Sequence, residues 1–148
     1  MNKIQGVSTL QDNNRENLLV LLKRTQEELG YLPHEFITDV AKSLNIPISE
    51  VFGVATFYSF LSTLPLGRNV IRVCKSLPCY LKNSQMIIKS VEGELGVKPG
   101  ETTSDGRFSF QLTNCIGACD GAPAMLINHD VHVNLTLSKI SKILKVYK

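Results

Sequence analysis

Apolar residues recur along the chain with two different periods, and the change falls near residue 67. Leu18, Leu22, Thr25 and Leu29 keep the spacing of one helical face, and Gly30 is a natural stop. Asn13 followed by Glu16 reads as a capping box in front of that helix, while residues 1 to 12, polar and aperiodic, predict a loose tail. Pro33 opens a second helix with Phe36, Ile37, Val40, Ala41 and Leu44 on one side, closed by residues 45 to 47. Ser49 is placed to cap a third helix running to about Leu61. Its apolar residues Val51, Phe52, Val54, Ala55, Phe57, Tyr58, Phe60 and Leu61 occupy nearly the whole circumference, so burial on most sides is expected.

Residues 62 to 68, with Pro65 and Gly67, predict a loop and a boundary between a helical bundle over 1–67 and a second domain over 68–148. Beyond it the pattern alternates. Val70, Ile71 and Val73 form a short strand that delivers Cys74 at its end. A helix over 83–95 follows, with Met86, Ile87, Val91 and Leu95 inward, and then a polar loop over 98–107. Phe108, Phe110 and Leu112 alternate along a strand leading to Cys115, and residues 125–127 and 131–135 read as a hairpin turned around 128–130. The last helix, over 138–147, turns Ile140, Ile143, Leu144 and Tyr147 inward and Lys139, Lys142 and Lys145 outward. The whole is an α+β chain, and its second part has the β-α-β-β-α order of a thioredoxin-like half.

Composition narrows the function by exclusion. Hydrophobic residues make up 43% and charged residues 20% of the 148, as in ordinary soluble globular proteins. The net charge of +3 is small, and no arginine-rich run marks a nucleic-acid footprint. The first three helices could be mistaken for a DNA-reading helix-turn-helix. A recognition helix, however, reads base edges with Arg, Lys, Asn or Gln, and residues 47 to 67 contain none of these. No run approaches the about 18 apolar residues of a membrane span, nor does the N-terminus resemble a secretory signal, so a reducing cytoplasm is expected.

The candidate chemistry lies in four cysteines, all in two close pairs: Cys74 and Cys79 in Cys-Lys-Ser-Leu-Pro-Cys, and Cys115 and Cys119 in Cys-Ile-Gly-Ala-Cys. Each pair begins where a predicted strand stops. Such an arrangement suits metal ligation by thiolate, and both zinc and iron–sulfur clusters are compatible with sulfur donors. The two wide loops favour a [2Fe–2S] rhomb, with two thiolates to each iron, over one tetrahedral ion. A thioredoxin-type dithiol is disfavoured because no Cys-x-x-Cys is present. His129 and His132 could suggest a Rieske-type centre, but four cysteines leave them no vacancy. Gly117 and Gly121 are placed to let the backbone approach the cluster without a Cβ in the way. Arg72, Lys75 and Lys82, near the first loop, favour a more negative reduced state only slightly.

The run from Cys115 through Asp120-Gly-Ala-Pro123 to Asn128, with Gly100-Glu-Thr-Thr-Ser-Asp-Gly106 before it, resembles the thioredoxin-like [2Fe–2S] subunit of NADH dehydrogenases. That family includes the 24 kDa subunit of respiratory complex I and the small subunits of NAD-linked and electron-bifurcating hydrogenases and formate dehydrogenases. Glu28-Leu-Gly-Tyr-Leu-Pro33 and Val51-Phe-Gly-Val-Ala-Thr-Phe-Tyr-Ser59 are similar to its helical N-terminal part. In the first cysteine loop Ser76-Leu-Pro78 departs from the Gly-Thr of many members. The resemblance implies one [2Fe–2S] cluster per chain on Cys74, Cys79, Cys115 and Cys119. It also implies a one-electron-transfer subunit of a multisubunit NADH-linked oxidoreductase, expected to be a soluble hydrogenase-type complex, electron-bifurcating ones included, or the NADH module of complex I, associated with further iron–sulfur subunits and a flavoprotein that carries FMN and binds NADH. The N-terminal helices would lie against that flavoprotein. The chain itself has no glycine-rich phosphate loop after a strand and no nucleophile–base pair, so catalysis is expected of the complex rather than of the chain alone. A zinc-stabilised interaction module with no redox role is the alternative.

Overall fold

The computed structural model describes residues 17–147, so the capping box at Asn13 and Glu16 lies outside the described residues. Within them the chain divides into two compact units that meet between Pro65 and Leu66.

The first unit is built from α1 (Leu18–Leu29), α2 (His34–Leu44) and α3 (Ile48–Phe57). Its core is formed by Leu18, Leu21 and Leu22 of α1, Leu32 of the turn, Phe36, Ile37, Val40 and Ala41 of α2, and Val51 and Ala55 of α3. Gly30, at φ 80°, ends α1 in the left-handed conformation that costs glycine no Cβ clash. Asn45 does the same for α2 at φ 52°, with its own N–H bonded to Lys42 O and that of Ile46 bonded to Ala41 O, the crossed pair of a Schellman ending. Gln26 ties the far end of the unit back to α1: its Oε1 accepts from Ser62 N at 2.9 Å and its Nε2 donates to Gly30 O at 2.7 Å.

α3 departs from expectation in two ways. It stops at Phe57 rather than near Leu61, and its entry is Pro47, with no side-chain cap from Ser49. Only Val51 and Ala55 are buried, whereas Phe52, Phe57, Tyr58 and Phe60 remain between 42% and 79% exposed. Three short helices offer α3 one face to bury, so an apolar circumference cannot be covered within this unit.

The second unit holds a four-stranded sheet of order β2-β1-β3-β4, from β1 (Asn69–Cys74), β2 (Phe108–Thr113), β3 (Met125–Ile127) and β4 (Asp130–His132). β1 runs parallel to β2 and antiparallel to β3, and β3 is antiparallel to β4. The parallel pair demands a long crossover, supplied by α4 (Leu77–Leu81) and α5 (Ser84–Leu95). α6 (Leu137–Val146) closes the chain. Strand alternation sends Ile71, Val73, Phe108, Phe110, Met125 and Ile127 to one face, where they pack with Ile87, Ile88 and Val91 of α5 and Ile140 and Leu144 of α6. Met86, expected inward, is 50% exposed, and Ile88 takes the inward place because it stands one residue from Ile87 and three before Val91.

The polar loop before β2 covers the edge of that strand. Gly100 N donates to Phe110 O, Phe110 N to Glu101 O, and Thr103 N to Phe108 O, so the outer ladder of β2 is satisfied within the unit rather than offered to another chain. Arg107, where the loop meets β2, holds the last turn of α6, donating from Nε to Tyr147 O at 2.9 Å and from a terminal nitrogen to Leu144 O at 3.4 Å.

Candidate metal centre

Each of the four cysteines is placed by a different device. Cys74 is the last residue of β1; its N–H donates to Ala124 O at 3.2 Å and that of Lys75 to Thr113 O at 2.9 Å, so the strand end is held from both neighbours. Cys79 sits on α4, a single helical turn where the pattern predicts only a loop. The signal for that turn is Pro78, whose fixed φ and missing N–H are tolerated in the first turn of a helix. β2 ends at Thr113, two residues short of Cys115, and Cys119 opens a 3₁₀ turn through Gly121.

The fold brings these devices together. Cys74, Cys79 and Ala124 form a small buried cluster, at 1%, 2% and 1% exposure, and Ile116, Ala118 and Ala122 from the second cysteine loop pack against it. Cys115 and Cys119, by contrast, are exposed, with their sulfurs 3.2 Å apart. The four thiols therefore stand as two local pairs, one walled in and one open, joined by a floor of small side chains. Sequence reasoning misses these alanines. Their signal is the recurrence of Ala at 118, 122 and 124 beside the cysteines, where a larger side chain would hold the two loops apart.

The electrostatics differ between the pairs and also link them. Burial pushes the Cys79 thiol up to about 11; an Ala124 backbone hydrogen bond works the other way, and the sulfurs of Cys74 and Cys119 add to the rise. Cys115 is held below its ordinary value, first by the Gly117 N–H, which donates to its sulfur at 3.4 Å, and then by Cys119. Cys119 is raised by its hydrogen bond to Cys115, by burial, and by the negative groups Cys115, Cys74 and Asp120. The sulfurs of the inner pair and that of Cys119 thus lie within electrostatic reach of one another.

The two glycines of the second loop have separate reasons. Gly117 is at φ +83° with nothing near its missing Cβ, so backbone conformation requires it, and its N–H is aimed at sulfur. A Cβ on Gly121 would lie 2.6 Å from that of Val133. Packing against the chain after β4 therefore gives Gly121 a reason of its own. The same stretch is fastened by Asn134 N to Gly121 O at 2.6 Å and Leu135 N to Pro123 O at 3.1 Å, which is why the hairpin's second strand ends at His132 instead of continuing to Leu135.

The histidines stand apart from the thiols. His129 is an exposed turn residue beside Asn128, whose N–H bonds Val70 O near the start of β1, whereas Cys74 is at its end. His132 lies opposite Met125 and so faces the α6 side, where its Nε2 is 2.9 Å from the Tyr147 hydroxyl, which itself donates to Asp130 at 2.8 Å. Burial holds the imidazole below its ordinary pKa, partly offset by Asp130.

A sheet of this order, with paired thiols following the ends of its two parallel strands, defines the class: a thioredoxin-like protein with a cysteine-lined centre. The particular assignment follows from likeness to known proteins, for a family model described as thioredoxin-like [2Fe–2S] ferredoxin matches residues 4–148, and the chain belongs to that family. A subunit of the NADH-quinone oxidoreductase of Escherichia coli (strain K12) is 45% identical over 127 residues, covering 86% of this chain and 76% of that one. The HndA subunit of the NADP-reducing hydrogenase of Solidesulfovibrio fructosivorans is 34% identical over 131 residues, covering 88% and 77%. Among solved structures, a chain of an NAD+-reducing [NiFe]-hydrogenase in the air-oxidized state superimposes with a TM-score of 0.72 at 22% identity, over 93% of this chain; the match spans 24% of that longer chain and establishes the fold.

The donor set fits the family's cluster. Four thiols in two local pairs match the number and kind of donors that two irons take, and the second cysteine loop packs on the buried inner pair. Among the described residues no three His, Cys, Asp or Glu side chains form a group that could hold a metal ion. No helix among the described residues is long and apolar enough to cross a membrane.

Proposed function

We propose that this chain is the one-electron carrier of an NADH-linked oxidoreductase complex, working beside a flavoprotein subunit that carries FMN and binds NADH. Cys74 and Cys79 would hold one iron of a [2Fe–2S] cluster and Cys115 and Cys119 the other. When bound, such a cluster supplies reversible uptake of a single electron. The chain's own residues do the rest: β1 and α4 fix the inner pair, Ala118, Ala122 and Ala124 exclude water from it, and the N–H groups of Gly117 and Ala124 donate to sulfur and favour its anionic form. The observation that carries this reading is the packing of Ile116, Ala118 and Ala122, from the stretch that carries the outer pair, against the buried Cys74 and Cys79.

The 45% likeness to a quinone oxidoreductase subunit favours a complex of that kind, and the 34% likeness to a hydrogenase subunit supports a hydrogenase-type complex as the second reading. The apolar surface left on α3 suits burial against the flavoprotein. Anaerobic purification of the full chain, with iron, acid-labile sulfide and zinc assayed together, tests the carrier role. About two irons and two sulfides per chain, with an EPR signal on reduction, are expected. Zinc without sulfide would sink the proposal in favour of an interaction module.

A further inference from the structure

A pair of exposed thiols has a chemistry of its own. Cys115 and Cys119 stand in solvent with their sulfurs 3.2 Å apart, while Cys74 and Cys79 are 1% and 2% exposed. Backbone brings the outer sulfurs together: Gly117 turns the chain between them at φ +83°, and Ala118 follows at φ −107° and ψ 44°. Ile116 and Ala118 fasten the same loop to the buried inner pair, so its anchorage does not depend on the outer sulfurs. Residues 114 to 118 belong to no strand or helix, and a shift of about 1 Å brings the sulfurs to bonding distance with no ladder broken. The Gly117 N–H donates to Cys115 Sγ at 3.4 Å, which marks Cys115 as the attacking sulfur and its neighbour Cys119 as the resolving one.

We propose that Cys115 and Cys119 are a reversible modification site, closed into an internal disulfide by low-molecular-weight disulfides whenever the chain holds no cluster. The bond itself needs only the two thiols; its consequence, that two of four iron ligands are withheld, rests on the electron-carrier reading. The Cys115 thiolate attacks one sulfur of the small disulfide, and the other half leaves as a thiolate with the bonding pair. The Cys119 thiolate then attacks the Cys115 sulfur of this mixed disulfide and expels the second small thiolate. In balance, one small disulfide is reduced to two thiols, two protein thiols are oxidised to one disulfide, and the two protein protons pass to the departing thiolates. A lone exposed cysteine climbs under oxidation toward sulfinic and sulfonic acid, whereas a resolving neighbour diverts it into a bond that a dithiol undoes. The inner pair, packed against Ala118, Ala122 and Ala124, is closed to the reagent and stays reduced. With no Cys-x-x-Cys in the chain, the device preserves the chain's own ligands instead of passing oxidation to another protein.

The test uses the full chain, one sample cluster-loaded and one freed of iron and kept reduced without oxygen, with hydroxyethyl disulfide as the probe. Intact mass of the cluster-free chain should fall by two hydrogens, and peptide mapping should place the link between Cys115 and Cys119. Cys74 and Cys79 should be recovered as free thiols after denaturation, having reacted at least about tenfold more slowly. Dithiothreitol should restore the starting mass. Cys119→Ser should halt at the mixed disulfide and keep one hydroxyethylthio group on Cys115. A link within the inner pair or between chains, mixed disulfides that persist on both outer cysteines of the wild type, or no reaction at all would overturn the inference, and the carrier role would still stand if the loaded sample holds iron and acid-labile sulfide. That loaded sample should resist the probe for the time that converts the cluster-free one. If it is modified equally fast while keeping its iron and sulfide, the modification site stands and it is the assignment of Cys115 and Cys119 as ligands that fails.

Discussion

The first pair of thiols is walled in and the second stands open, although each follows the end of one of two parallel strands. Cys74 and Cys79 are held by a strand end and a helical turn and are almost wholly covered, while Cys115 and Cys119 lie on an irregular loop with their sulfurs exposed. The difference teaches that the centre is asymmetric. Burial raises the Cys79 thiol, so a bound metal would have to supply the counter-charge that makes it a thiolate ligand. The outer pair has a backbone N–H to favour the anion at Cys115 and can be reached from solution. One pair would serve as the socket of the cluster and the other as its clasp.

The largest effect should come from breaking the socket. Cys79→Ala leaves Cys74 without its neighbour inside the apolar cluster, and cluster content is expected to fall to near zero, read as iron and acid-labile sulfide per chain. Full occupancy with an unchanged EPR spectrum would show that Cys79 is not a ligand. Alkylation of the cluster-free protein, followed by mass spectrometry of the cysteine peptides, measures the asymmetry directly. Cys115 and Cys119 should react at least about tenfold faster than Cys74 and Cys79 at neutral pH, because the inner pair is closed to the reagent and the outer pair is not. Equal rates would mean that the inner pair is not shielded in solution.

Next in size are the glycines of the clasp. Gly121→Ala drives a methyl into Val133 and should cost about 1–3 kcal/mol of stability, as overpacking does. Gly117→Ala meets no atom and should cost about 1–2 kcal/mol through its left-handed backbone alone. Denaturant melts compare the two, and adding Val133→Gly should restore stability to the first variant only.

The smallest effect serves as a reference, since it lies on the helix-packed face, away from both pairs. Tyr147 is raised to about 12 by burial and by Asp130, above its unfolded value near 10. The folded state holds the proton more tightly, so this contribution is complete below pH 10 and is lost as pH rises from there through about 12. His132 is shifted the other way: its contribution is present above about pH 6.5 and is lost as acid protonates it. Tyr147→Phe should remove about 1 kcal/mol and the alkaline slope with it, without changing the cluster spectrum. A chemical-denaturation series in pH checks both signs.

Much of the fold is legible from period and punctuation. Gly30, Asn45 and Gly96 end helices where the pattern breaks, and the alternation through Ile71 and Val73 and through Phe108 and Phe110 marks the two parallel strands. α4 stays hidden because one helical turn is too short to show a period, leaving only Pro78 to announce it. The extent of α3's burial is not legible, because periodicity reports how apolar a surface is and is silent about how much neighbouring surface exists to cover it. Met86 and Ile88 exchange places for a related reason, since adjacent apolar residues on a helix leave its inward face ambiguous by one position.

Residue type and spacing determined that four sulfur donors come in two local pairs at strand ends, because those facts depend only on neighbours along the chain. Which pair is buried, that three alanines form the floor between them, and that Gly121 answers to Val133 were decided by the tertiary structure. These are contacts between segments remote in sequence, set by the sheet order that brings the loop after β2 against the end of β1.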